Sequence, residues 1–546
     1  MSQPYPESRQ SAGGEPRRSL GSVVLRAAGA IAGGALLASG WLRPGWIVPA
    51  WFAALALLVF SRARRPRSAL LWCWLLGLVG HIVAFYWVPG TIQRFSTLPG
   101  WLAEMAFMAG CSIGALQFGA FGAVACWLRL RGRARPWVVA AVWASFELVW
   151  PTVFPWRLGQ TQIEWTAMVQ IAELTGVYGI GFLMMWLVEA ALQLAEQQAA
   201  RRGAADAGRN AMNPGEGDPR PGLRVEPWVA AGVAVAALGF GLWRERDLQA
   251  RIAASPPLRV GLVQCADELS QRASNLRRLS QEIGDQVDLL CWPESSLGSL
   301  KYEPRQLPAA MRPYSGRRCY LVAGCSVKPD DKTDDRWLNS AILIDPEEHV
   351  VGRYDKRTLI PFGEYVPGET WFPALHGLTV FPQRYRGGVS AEPLRMAGAG
   401  EGQPDRARLG VLICYEDVLA GLARSSTAAG ADLLVNLTND RWFGDSHALP
   451  QHQQLARFRS IENRRYLLRC TMTGSTSIID PLGRVVEQAP GQLPVAIVET
   501  VTTLGLRTVY TACGDVFGWS CVAVMGVAVL TAKKKPHFGE RLRKSL

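Results

Sequence analysis

Histidine is scarce in this chain, with 6 in 546 residues, and charge is thin, with 19% Asp, Glu, Lys and Arg against 49% hydrophobic residues. No C-x-x-C pair occurs, which removes the usual framework of a structural zinc or a thioredoxin-type redox site. Nucleotide chemistry also lacks its marks, since there is no P-loop or dinucleotide fingerprint. A Cys–His nucleophile pair would have to draw on His349, His376, His447 or His452. His349 sits in an exposed-looking Pro-Glu-Glu-His turn, and His452 reads as a structural hydrogen-bonder rather than a base. Nothing in the sequence asks for a metal or an organic cofactor.

What is abundant is apolar surface, with 21 Trp among it. Apolar stretches run at about 22–40, 45–61, 68–88, 100–128, 136–153, 167–194, 227–244 and 511–532. Most reach the ~20 residues that a helix needs to cross a bilayer. Small residues in Ala35–Gly40 give the first a signal-peptide look, but six further stretches of the same kind favour an uncleaved helix. Arginines crowd every second connection: Arg9 to Arg26, Arg62 to Arg67, Arg129 to Arg135 and Arg201 to Arg224, with a Lys/Arg tail from Lys533. That is the positive-inside pattern for eight spans with both ends in the cytoplasm. Counted with their flanks, over 1–26, 62–67, 129–135, 196–226 and 533–546, these segments hold 23 basic and 8 acidic residues, which accounts for the net charge of +13 and leaves the rest slightly acidic. A nucleic-acid partner is therefore not required by the high pI.

The expected organisation is a disordered tail over 1–21 and a seven-helix membrane domain over 22–244, with a flexible cytoplasmic loop at 197–226. A catalytic domain outside the membrane follows at 245–508, then an eighth helix at 509–532 and a basic tail at 533–546. Within 245–508, apolar strands such as Leu258–Gln264, Asp288–Trp292, Leu409–Cys414 and Asp432–Leu437 alternate with helical patterns such as Ser274–Val287 and Gln451–Arg464. Alternating buried strands and helices predict an α/β layered domain. Its cysteines, Cys265, Cys291, Cys319, Cys325, Cys414 and Cys470, mostly fall in or beside strands and read as buried free thiols.

Three strand ends carry chemistry. Gly410–Ile413 leads into Cys414, Tyr415 and Glu416, and a thiol there is either a small core hydrophobe or a nucleophile. Val287–Trp292 leads through Pro293 to Glu294, and Tyr354-Asp355 leads to Lys356 ahead of Pro361-Phe-Gly-Glu364. If the three meet, Glu294 takes the thiol proton, Lys356 stabilises thiolate and oxyanion, and Cys414 attacks a carbonyl. Spacing alone does not bring them together.

Trp292-Pro-Glu-Ser, Tyr354-Asp-Lys with Pro361-Phe-Gly-Glu, and Ile413-Cys-Tyr-Glu resemble the three catalytic boxes of the nitrilase superfamily. Their form resembles its membrane branch, the apolipoprotein N-acyltransferase family, as do Asn439-Asp-Arg-Trp-Phe-Gly444, Gln451-His452 and Phe154-Pro-Trp156. The resemblance runs from about residue 25 to the C-terminus. It implies an α-β-β-α sandwich, a bacterial inner-membrane location with the catalytic domain facing the periplasm, and a Glu294–Lys356–Cys414 triad. It also implies a phospholipid acyl donor (phosphatidylethanolamine), whose sn-1 chain passes through a Cys414 thioester to the N-terminal amine of a diacylated apolipoprotein. The backbone N–H of Tyr415 is implied as an oxyanion donor, and Glu364 and Glu416 as groups that position Lys356 and the amine. Trp442 and Phe443 line an acyl pocket or simply pack. A membrane-tethered amidase or nitrilase acting on a small or lipid amide is the alternative.

Overall fold

The computed structural model describes residues 20–210, 225–265, 269–301, 319–330, 333–380, 383–398 and 403–532. The expected N-terminal tail, up to residue 19, and the basic tail lie outside the described residues.

The first half is helical: α1 (Leu20–Leu42), α2 (Ile47–Phe60), α3 (Pro66–Ala84), α4 (Val88–Phe95), α5 (Gly100–Leu130), α6 (Pro136–Val149), α7 (Thr166–Val169), α8 (Ala172–Thr175), α9 (Val177–Asn210) and α10 (Glu226–Ala254). Of these, α1, α3, α5, α9 and α10 are long and apolar enough to cross a membrane. Small residues let the helices close on one another, as in lipid-embedded bundles. A Cβ added to Gly122 of α5 would sit 2.5 Å from the Cys73 sulfur of α3, so this contact requires glycine. On α10 the outward Val235, Leu242 and Trp243 are exposed, a face that hydrocarbon covers.

Three departures from the sequence reading stand out. The stretch expected as one span at 167–194 begins as two single-turn helices, and Gly176, at φ 64°, breaks the chain before α9 starts. Helix α9 continues to Asn210, so the first part of the expected 197–226 loop is helical, and 211–224 lies outside the described residues. A short amphipathic helix, α4, turns between two spans where only a connection was expected.

The second half holds β1 (Pro257–Gln264), α11 (Leu269–Ile283), β2 (Leu289–Trp292), β3 (Ser299–Lys301), β4 (Tyr320–Lys328), β5 (Leu338–Ile344), β6 (Val350–Asp355) and β7 (Leu394–Met396). It continues with β8 (Ala407–Ile413), α12 (Ala420–Ala428), β9 (Leu433–Thr438), α13 (Ala448–Asn463), β10 (Leu467–Thr471), β11 (Ser477–Ile479), β12 (Val485–Gln488) and β13 (Val495–Thr502). Helices α14 (Val509–Cys513) and α15 (Val516–Leu530) follow, and the apolar α15 packs on α6. The strands form two sheets, ordered β13-β1-β2-β4-β5-β6, with β3 beside β4, and β12-β11-β10-β9-β8-β7. Alternating side chains go to opposite faces. Leu262, Val322 and Leu343 from one sheet and Val411, Val435 and Leu468 from the other share a core. The outer faces are covered by Leu276 and Leu279 of α11 on the first sheet, and by Ala423 of α12 and Ala456 of α13 on the second. This is the expected α-β-β-α sandwich.

Helix α13 is unusual in that sandwich. Gln451, His452, Gln453, Gln454, Arg457, Arg459, Ser460, Glu462 and Asn463 make it polar around its circumference, yet all are buried. It lies between the second sheet and the membrane helices. Gln451 accepts from Trp87 Nε1 at 2.9 Å and donates to the Ala84 carbonyl at 3.0 Å, and Gln454 donates to the Gln160 carbonyl at 2.8 Å. Arg457 and Arg464 reach Glu164 and Glu173 on the membrane side. A buried polar helix is tolerable only because most of its polar groups find partners across that seam.

Candidate active site

The three boxes meet at one edge of the sandwich. Glu294 follows the end of β2, and Ser295 after it adopts φ 57°. The turn presses on β4 so closely that a Cβ on Gly324 would lie 2.6 Å from Glu294 Cα. Lys356 follows β6 and is 1% exposed. Its ammonium lies 2.8 Å from Glu364 Oε2 and 3.9 Å from Glu294 Oε1. Asn339, on β5, donates from one nitrogen to both carboxylates, at 2.8 Å each. Glu364 Oε2 also accepts from the Ile360 amide at 3.0 Å.

Cys414 stands at the junction of β8 and a 3-10 turn, Cys414–Val418, with φ 54°, a left-handed conformation costly for a residue with a Cβ. Asn436 on the neighbouring β9 holds its carbonyl at 3.0 Å. The thiol is buried within the fields of Glu294, Lys356 and Glu364, so the sequence-predicted trio forms one cluster. Burial pushes the thiol up, Glu294 adds to this, and Lys356 opposes it without prevailing. The resting sulfur is therefore a thiol and needs a base. Burial also raises Glu294, against the pull of Lys356, towards the proton affinity a general base requires. Burial alone would lower Lys356, but Glu364 and the other acids around it raise it well above the ordinary lysine value, keeping it charged.

Glu416 sits in a ring of donors. Its carboxylate accepts from Tyr354 Oη at 2.7 Å and from the amides of Ile413 at 2.9 Å, Arg357 at 2.6 Å and Thr358 at 2.9 Å. Four donors fill the acceptor positions of a carboxylate. It braces the Lys356 loop against the Cys414 turn, and no lone pair is left for an incoming amine.

Membrane-half residues complete the site. Tyr415 donates its hydroxyl to the Val153 carbonyl and packs edge-on to Phe154, at 5.7 Å between ring centroids. Phe154 also meets Trp87 at 5.8 Å and Phe443 at 6.3 Å, and Trp442 stacks on Phe95 of α4 at 4.6 Å. An aromatic wall thus joins the Phe154 loop, α4 and the Trp442-Phe443 turn beside the thiol. Sequence reasoning placed Phe154, Trp442 and Phe443 but missed Trp87, Phe95 and Asn339. Asn339 had a usable signal, because an amide inside the otherwise apolar Leu338–Ile344 strand has to be paired.

Among the described residues no cluster of His, Cys, Asp and Glu could hold a metal ion. The named cysteines of this half are free thiols, as expected.

A sandwich with a buried Glu–Lys–Cys cluster, closed on one side by membrane helices, defines a carbon–nitrogen hydrolase fold built into a membrane protein. Residues 259–501 match the carbon-nitrogen hydrolase family, and residues 33–190 match the apolipoprotein N-acyltransferase N-terminal domain. The chain is 31% identical to an apolipoprotein N-acyltransferase of Geobacter metallireducens over 88% of its length and 89% of that protein's. It is 29% identical to one of Nitrosomonas europaea, over 89% of this chain and 93% of that one. Among solved structures it is similar to the nitrilase-superfamily protein Nit3 of Saccharomyces cerevisiae, at 18% identity and a TM-score of 0.34, over 45% of this chain and 90% of that one. The chain belongs to the apolipoprotein N-acyltransferase family.

Proposed function

We propose that the protein transfers an acyl chain from a phospholipid, through a Cys414 thioester, to the N-terminal amine of diacylglyceryl-cysteine apolipoproteins. The carrying observation is the union of a buried, resting thiol with an aromatic wall supplied by the membrane half. A hydrolase of small amides has no use for that wall, whereas two lipid substrates do. Each would lose ~0.8 kcal/mol for every CH₂ exposed to water.

In the first half-reaction Glu294 takes the Cys414 proton and the thiolate attacks the sn-1 ester carbonyl. The oxyanion forms beside Lys356 and the backbone N–H of Tyr415, at the N-terminal end of its 3-10 turn, where amides lack helical partners. Collapse breaks the ester C–O bond, and the leaving glycerol oxygen receives the proton from Glu294, so a lysophospholipid departs. In the second, Glu294 takes a proton from the attacking α-amine, the amide forms, and the sulfur leaves and is reprotonated. Glu364 and Asn339 hold Lys356 and Glu294 in register, and phosphatidylethanolamine is the donor. Residues 245–508 lie on the periplasmic side of the bacterial inner membrane, as the arginine-rich alternate connections favour.

Purified protein given phospholipid alone should release one lysophospholipid per active site and stall. A diacylated lipopeptide with a free amine should restart turnover, and its N-acetylated form should not. Steady fatty-acid release without lipopeptide would make the protein a lipase or amidase instead. For orientation, labelling should find positions near Arg64, Arg133 and Gly215 inside and position 300 outside; a cytoplasmic residue 300 would overturn the placement.

A further inference from the structure

Behind the cluster described above lies a second set of buried charges that the mechanism does not use. His452, on α13, faces a carboxylate from each ring nitrogen: Nε2 is 2.7 Å from Asp417 Oδ1 and Nδ1 is 3.2 Å from Asp440 Oδ1. Arg469, on β10, closes the circuit, donating to Asp417 Oδ2 at 3.2 Å and Asp440 Oδ2 at 2.8 Å. All four side chains are buried. A neutral imidazole has a single N–H and would turn a lone pair towards one of the two carboxylates, so the geometry calls for the imidazolium, a donor on both sides. The ring then contains two anions and two cations, with no net charge left buried.

Its corners are placed to matter. Asp417 belongs to the same 3-10 turn as Cys414, and Asp440 opens the turn that carries Trp442 and Phe443. The Phe443 ring packs edge-on to His452 at 5.9 Å. Arg459, one face along α13, donates to the Val418 carbonyl at the end of the nucleophile turn, at 2.9 Å. The same helix is fixed to the membrane half through Gln451 and Gln454.

We propose that His452, as a doubly donating imidazolium, is a positioning residue that locks the Cys414 turn to the Trp442-Phe443 turn, and so keeps water from the acylated thiol until the amine arrives. This rests on the acyl-transfer reading given above. Breaking the lock lets the aromatic wall move independently of the thioester, and water competes with the amine. The groups facing His452 are Asp417, Asp440 and Arg469; the two acids outweigh burial and Arg469 and raise it to about 9. The lock is thus closed at neutral pH and opens as pH rises through that value.

The test is the ratio of free fatty acid to triacylated product, measured on full-length protein with phospholipid and a diacylated lipopeptide. His452→Gln and Asp440→Asn should each raise that ratio at least tenfold, whatever they do to the overall rate. In the unmodified protein the ratio should climb near pH 9 beyond the rise seen in His452→Gln, which has no imidazolium to lose. If His452→Gln does not fold, Asp440→Asn and the alkaline rise of the unmodified protein decide the matter. Slower turnover with an unchanged ratio in the folded variants would overturn the proposal, because a purely structural role predicts that result. Free fatty acid as the main product of the unmodified protein would defeat the transferase reading first, and this inference with it.

Discussion

Two buried charge clusters sit side by side in this protein, and they are built on opposite principles. Around Cys414, two carboxylates, Glu294 and Glu364, share one ammonium, Lys356, and the thiol is neutral. Around His452, two carboxylates meet two cations, and every charge has its opposite. The first cluster is one positive charge short, which on the proposed mechanism lets its proton move between sulfur, carboxylate and substrate. The second is balanced, which fixes its protons and its geometry. Burial is common to both, and charge balance separates the site proposed to react from the ring proposed to hold it in place.

That contrast can be broken most sharply at the thiol. Cys414→Ala should abolish the covalent acyl-enzyme seen by mass spectrometry, and Cys414→Ser should leave at most a trace, since a hydroxyl needs a stronger base. A thioester at another cysteine in Cys414→Ala would reassign the nucleophile. Next, Lys356→Met removes the charge proposed to stabilise the oxyanion and should lower kcat by roughly 10²–10³-fold, the usual cost of losing such a donor. A loss confined to KM would mean that Lys356 only binds substrate.

A smaller effect tests the mobile proton. As the proposed base Glu294 has to be ionised to act, and burial raises it, so the acid limb of kcat/KM should lie above the ordinary carboxylate range. Asn339 stabilises the anion at 2.8 Å, so Asn339→Leu should move that limb further towards neutral pH. A limb that stays put would separate it from Glu294. The smallest effect concerns the balanced ring. His452 is raised to about 9, so its contribution to stability is complete below pH 6.5 and is lost as pH climbs through 9. Asp440 is held down at about 2 and contributes above its unfolded value of 3.8, losing that only as pH falls towards 2. Thermal melts of the unmodified protein should therefore decline on the alkaline side over this window, and those of His452→Gln should decline less. Equal alkaline slopes would place the imidazolium elsewhere.

Hydropathy and three short boxes carried most of the architecture. Apolar length revealed the spans, and Glu294, Lys356 and Cys414 could be picked out because each ends an apolar run. Other features left no such trace. Helix α13 has no apolar stripe, and a polar helix reads as a solvated one, yet its burial depends on partners hundreds of residues away, such as Trp87 and Gln160. The sequence left Glu416 open between a structural acid and a group for the substrate, because its four donors come from backbone amides and a tyrosine that no motif announces. The break at Gly176 is likewise invisible in an apolar run, since glycine is common inside membrane helices.

The pairing of β1 with β13 has a consequence for how such a molecule is made. Their antiparallel register runs unbroken from Pro257 opposite Thr502 to Gln264 opposite Val495. Until the ribosome has produced those last strand residues, some 240 positions after the first, β1 is an open edge with a row of unsatisfied amides. Helix α13 and the Thr508 and Thr511 hydroxyls that bind Glu462 and Asn463 wait on the same late segment. Synthesis therefore passes through a long interval with helices α1 to α10 made and the second half still unsealed. A truncation just before Val495 should yield a chain that inserts into the bilayer and is then degraded, rather than a shorter working enzyme.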